Sequence, residues 1–260
     1  MSQGIPKLKA SELVNRISSL SNDDIKNQFI INGISREIEG LKKTNASKAY
    51  ALSGQLAFVI GEYKKAKHEF QKSFGLDRYD IVVLNNYATS LSQAGLHHEA
   101  YDAFVAAYEV GKDRLSLGGL FISSLAMFHL DEAFDHASQL STMFPDDDSL
   151  FQRKEIIGSA IKYFQSHNIK QEEGSILMDV VWDTLVSNKV SNSLFYLAPV
   201  KSSDSYSFTI FLDQSPEFIA ELNLEIFMNL AEKNISGEIV DKLIVCCMPL
   251  NDSVMEKSNS

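Results

Sequence analysis

Two stretches, GEYKKAKHEF at residues 61–70 and GLHHEAYDAF at residues 95–104, place Gly, Ala and Phe at matching positions 34 residues apart. Extending the overlay outward, Tyr50, Gly54, Gly61, Ala66, Phe70 and Ser73 fall opposite Leu84, Ala88, Gly95, Ala100, Phe104 and Ala107. Small residues meet small ones and large meet large. Each unit reads as a first helix with an apolar residue and a small one four positions on, then a Gly turn, then a second helix carrying Ala and Phe at i+4 on one face. That is a helical hairpin. A single hairpin cannot bury its apolar face, so such units stack. A third, degenerate copy, LGGLFISSLAMFHLDEAFDHASQLSTMFP at residues 117–145, keeps Ala133 and Pro145, but Phe128 stands where Gly61 and Gly95 turn the chain. A bulky side chain there predicts a turn of different geometry.

These residues resemble the tetratricopeptide repeat family, whose units are helix pairs of this length with this alternation. The resemblance implies a concave groove on the first helices that takes up a peptide or helical segment of another protein. By that resemblance the groove is lined by Gln55, Phe58, Val59, Asn85, Thr89, Ser92, Gln93, Ile122 and Leu125. The carboxylate clamp of some family members falls here on Ala51, Gln55, Asn86, Leu115 and Gly119, where only amides survive. Residues 74–111 also look like the three-repeat chaperones of type III secretion translocators, which implies cargo chaperoning.

Before the repeats, SNDDIKNQFIINGISREIEGLKK reads as one amphipathic helix on Ile25, Phe29, Ile34, Ile38 and Leu41. After them, DDDSLFQRKEIIGSAIKYFQ reads as a closing helix whose leading acids suit an N-cap and the positive end of the helix dipole. From about residue 172 the pattern changes. A helix through Ile176, Val180, Trp182 and Leu185 precedes LFYLA and then YSFTIFL, whose period of two means strand. Ser215 and Pro216 open a further helix, and Leu243 to Met248 supplies a last strand. The expectation is an α+β protein, mostly α: a helical-hairpin solenoid over residues 1–171, then a small helix-strand-strand-helix-strand unit over 172–260. That unit has no Gly/Ser or Pro-rich linker before it and is expected to dock on the last repeats.

A formal net charge of -10, from 34 acidic and 24 basic residues, repels nucleic acid and anionic lipid. No apolar run spans a bilayer, and the N-terminal residues have no apolar signal core, so a soluble, cytoplasmic chain is expected. Adjacent Cys246 and Cys247 on a strand point to opposite faces and read as buried, reduced thiols. Candidates for chemistry are sparse. His97 and His98 lack a partner His one helical turn on and read as a solvated turn; Asp135 and His136 read as surface charges. Gly118 and Gly119 lack the Lys of a phosphate loop and read as close helix packing. Asp146, Asp147 and Asp148 read as a helix cap and not a metal loop. Asp213, at a strand's carboxyl end, is the best single candidate for a catalytic carboxylate. The sequence therefore predicts a non-enzymatic adaptor or chaperone-like module without metal or cofactor. The alternative is an enzyme with its site in the α/β unit and repeats that recruit substrate.

Overall fold

The computed structural model describes residues 4–77, 79–191, 193–233, 235 and 237–250. The chain is mostly α, with a small three-stranded sheet near its end. The helices are α1 (Gly4–Ser18), α2 (Asn22–Lys26), α3 (Gln28–Lys42), α4 (Ala46–Val59), α5 (Tyr63–Leu76), α6 (Ile81–Gln93), α7 (His97–Gly111), α8 (Arg114–Ala126), α9 (Leu130–Met143), α10 (Asp148–Ser166) and α11 (Gln171–Ser187). Strands β1 (Leu194–Pro199) and β2 (Tyr206–Leu212) follow, then α12 (Pro216–Glu232), α13 (Gly237–Lys242) and β3 (Leu243–Pro249). Every strand among the described residues lies after residue 190, where the period of two appears. The described chain forms two compact units, one of residues 4–90 with 106–111 and one of residues 91–105 with 112–250.

In the first unit, Ala10, Leu13 and Ile17 of α1 join Ile31, Ile34, Ile38 and Leu41 of α3 and Ala49, Leu52 and Leu56 of α4 in one buried cluster. The single helix expected over residues 21–43 is two. Asn27 ends α2, and its side chain accepts from the Phe29 N–H to begin α3, so the helical phase resets and Phe29 is left 87% exposed. α1 itself lies outside the elements expected from the sequence. The hairpin of α4 and α5 closes on Gly54, where an added Cβ would come within 2.6 Å of the Phe70 ring. Phe70 is fully buried and reaches the Tyr87 ring of α6 at 4.8 Å, so it fills the gap to the following helix.

The turns share one backbone geometry. Gly61 and Gly95 both have φ +78°. The Gly61 N–H donates to Phe58 O and the next N–H, of Glu62, to Ala57 O; at Gly95 the acceptors are Ser92 O and Leu91 O. This pair of hydrogen bonds is the Schellman cap, which requires a left-handed residue. Contrary to the sequence expectation, Phe128 adopts the same cap with φ 62°, donating to Leu125 O while His129 donates to Ser124 O. Asn168 and Lys189, at φ 55° and 57°, close α10 and α11 in the same way. The Phe128 ring explains the exception. It is fully buried, lies edge-on to Phe164, and fills the space over Gly174, where a Cβ would fall 2.0 Å from its Cδ1. Tertiary burial outweighs the local steric cost of a bulky left-handed residue.

In the second unit α8 packs on α9 and α9 on α10, with Gly119 of α8 so close to Phe104 of α7 that a Cβ would fall within 2.3 Å of the ring. Gly118 has open space. The sheet order is β1-β2-β3, β1 antiparallel and β3 parallel to β2. Tyr206, Phe208, Ile210 and Leu212 point to the buried face. There Tyr206 meets Tyr163 and Phe164 of α10, and Phe195 of β1 meets Trp182 of α11, so the sheet rests on α10 and α11. Ser215 caps α12 with Pro216 in its first turn. Asn223 of α12 then pairs with the outer edge of β3, donating to Cys247 O at 2.9 Å and accepting from the Cys247 N–H at 2.8 Å.

Candidate functional site

Three first-helix or flanking stripes converge in the first unit on an open groove of about 470 Å³. α4 contributes Lys48, Ala51, Leu52 and Gln55, which recur every three or four residues and so share one face. α6 contributes Val82, Val83 and Asn86, and α1 contributes Ala10, Ser11 and Val14. The floor is apolar, Val82 stands 58% exposed, and one ammonium and two amides supply the polar groups besides Ser11. Gln55 is held toward α1, its Nε2 donating to Ser18 Oγ at 3.3 Å.

Of the residues expected to line a groove, Gln55 lines this one. Phe58 is instead buried in the hairpin, its ring against Tyr63 and Phe70. Val59 is half-buried and packs against the cluster of α1, α3 and α4 residues instead of lining the groove. Asn85 is buried and Thr89 half-buried, while the neighbouring Asn86 lines the groove. In the second unit Ser92 is half-buried, Gln93 exposed, Ile122 38% exposed and Leu125 buried. α1 is a feature that sequence reasoning missed, although Ala10, Leu13, Val14 and Ile17 already carry helical spacing.

The chemistry candidates separate in space. His97 is not in a solvated turn. It is 3% exposed, its ring 4.3 Å from Trp182 and 5.8 Å from Phe195, and neither ring nitrogen has a hydrogen-bond partner among the described residues. Burial, with the adjacent His98, pushes its pKa down to about 3. His98 is exposed and meets Asp179 at 2.8 Å. Asp135 is exposed as expected, but His136 is half-buried beside Tyr101, and burial lowers its pKa. Asp147 is the N-cap residue of α10 and spends its carboxylate on Ser149 and Arg114, both at 2.6 Å; the Ser149 hydroxyl first, then Arg114, hold its pKa below the usual range. Asp213 is exposed beyond β2. Cys247 is buried, and burial raises its thiol to about 12, whereas Cys246 is half-exposed on the opposite sheet face.

The densest polar cluster joins α10 to the β1–β2 loop. Lys242 Nζ and His167 Nε2 meet one Asp204 carboxylate oxygen at 2.7 and 3.1 Å, and Tyr163 donates to the Asp204 carbonyl at 2.6 Å. The Lys242 bond is the main cause of the lowered Asp204 pKa. Every member is satisfied within the fold, and the cluster works as a clasp. Among the described residues no group of three or more His, Cys, Asp or Glu is placed to hold a metal ion, and no helix is long and apolar enough to cross a membrane. No family model, curated protein or solved structure matches the chain.

Proposed function

We propose that the chain is a non-enzymatic protein–protein interaction module, of adaptor or chaperone-like kind, that receives a polypeptide segment on the first-helix face of its repeats. The observation that carries this reading is the groove of α1, α4 and α6: an apolar floor with an exposed Val82, bordered by the Gln55 and Asn86 amides and the Lys48 ammonium. An apolar floor takes up a partner's side chains, and amides pair with its backbone. The tetratricopeptide-like arrangement of the hairpins supports the same use, with the groove one turn nearer the start of α4 than the resemblance alone implies.

A photo-crosslinking amino acid at Val82 in the full-length chain, expressed in its native cell, tests this. One polypeptide should crosslink there, and not at exposed Glu109, and its yield should fall at least tenfold on Lys48→Glu with Asn86→Ala while the circular dichroism spectrum stays unchanged. Equal crosslinking at both positions, or an unaffected yield from the folded double variant, refutes the groove as the binding surface.

A further inference from the structure

The sheet buries one face only. Pairing puts Leu194 and Tyr196 of β1 beside Phe211 and Thr209 of β2, and these beside Met248 and Cys246 of β3, all on the face away from the helices. On that face Leu194, Tyr196, Ile244 and Met248 are 42%, 52%, 43% and 47% exposed, and no residue is charged. An apolar open sheet face departs from the usual alternation of buried apolar and solvated polar sides.

α12 extends this surface. Asn223 fixes the helix by pairing with the β3 edge. At about 100° per residue, the buried Ile219, Ile226 and Leu222 lie about 40–100° to one side of Asn223. Phe227 and Leu224 lie about 40–100° to the other, 65% and 60% exposed. One flank of α12 thus seals the buried face of the sheet, and the other stands beside the open one. Three strands with about 4.8 Å spacing and six residues of about 3.3 Å rise give roughly 300 Å², and the α12 flank brings the patch to about 500 Å². The next sector of α12 carries Glu217, Glu221 and Glu232, all exposed, and no cation among the described residues pairs with them, while Glu225 turns toward α11 and accepts from Asn188 at 2.9 Å.

We infer that the open sheet face and the Phe227–Leu224 flank of α12 form a second docking surface for a partner's amphipathic helix whose apolar stripe is bordered by Lys or Arg. Charge selects this occupant. A second copy would bring an identical row of three glutamates and a further net charge of -10 to the same rim. The patch is also smaller than the roughly 800 Å² per partner of a stable dimer, and matches a transient contact. The chain's own last ten residues, NDSVMEKSNS, offer only Val254 and Met255 as apolar side chains. A helix laid on an apolar surface is a common recognition mode, and the acidic rim sets its orientation and partner.

The test is selection from a phage-displayed library of helical peptides, randomised on all faces, against the immobilised full-length chain. Enriched peptides should carry apolar residues at i, i+3, i+4 and i+7 flanked by Lys or Arg. Synthetic copies should lose at least tenfold in affinity to Leu224→Ser with Phe227→Ser, and a further severalfold to Glu217→Gln with Glu221→Gln, as well as at raised ionic strength. The Val82→Asp variant in the other unit should bind them unchanged, which separates this surface from the groove. Enrichment of neutral or acidic peptides, binding that survives in the Leu224/Phe227 variant, or a chain that sediments as a dimer until those residues are replaced would each overturn the inference.

Discussion

Replacing Gly174 by Ala should have opposite effects on stability in two backgrounds. In the natural chain the new methyl would fall 2.0 Å from Phe128 Cδ1, and the ring is fully buried with Phe164 behind it. Overpacking of this kind costs about 1–3 kcal/mol. Phe128→Gly removes the ring, at about 3–5 kcal/mol for the lost burial and cavity, offset by about 1–2 kcal/mol because Gly adopts φ 62° without strain. In that background the Gly174 methyl enters space left by the ring, and Ala in a helix is favoured over Gly by about 1 kcal/mol. Gly174→Ala should therefore destabilise the natural chain and stabilise the Phe128→Gly chain, a coupling of about 2–4 kcal/mol. Urea unfolding reads it through the single tryptophan, Trp182, whose Nε1 donates to Ala126 O two residues before Phe128. Equal m values across the four proteins validate the comparison. Gly61→Ala is the control: its φ is +78° but open space surrounds the added Cβ, so it should cost only about 1 kcal/mol of backbone strain. If Gly174→Ala shifts the midpoint in the same direction in both backgrounds, the packing explanation of the Phe128 turn is wrong.

His97 has a folded pKa pushed down to about 3, so the unfolded chain binds its proton first, and the stability it contributes is complete above about 6.5 and drains away as pH falls toward 3. His97→Phe should flatten the stability profile in that window relative to the natural chain; identical slopes would contradict it. Cys247 is raised from 9.0 to about 12, so its contribution is full below about 9 and is lost as pH climbs through 12, and a thiol reagent at pH 8 should label Cys246 rapidly in the native chain and Cys247 only after unfolding. Two thiols of equal rate in the native chain would show that Cys247 is accessible.

The hairpins were legible because Gly61, Ala66 and Phe70 encode a turn, a close approach and a filler within one short stretch, and Gly95, Ala100 and Phe104 repeat it. The strands were legible because Tyr206, Phe208, Ile210 and Leu212 alternate over a full strand length. Other features depend on residues far along the chain. Nothing local to His97 marks it as buried; Trp182 and Phe195 do that from α11 and β1. Phe128 looks like a broken repeat until Gly174 makes room for it. Phe58 and Val59 continue the same stripe as Ala51 and Gln55, so α4 alone cannot say where the groove stops; the buried cluster of α1, α3 and α4 and the Phe70 ring decide it. Phe29 fits a single apolar stripe only if the helix runs through Asn27, where side-chain capping breaks it.

The parallel pairing of β2 with β3 sets an order on folding. β1 reaches β2 through a short hairpin loop, whereas Tyr206 waits for Leu243, on the far side of α12 and α13. Closing the longer loop costs more chain entropy, and non-local parallel pairing is slow. The hairpins close on contacts made within each turn and can form early. In that interval the second edge of β2 shows unpaired backbone groups, with Phe208 and Ile210 beside them, to any other unfinished chain. Once β3 is in place, Asn223 pairs with its outer edge. Productive folding of this molecule thus becomes a race between β3 and a stranger's strand for the same side of β2.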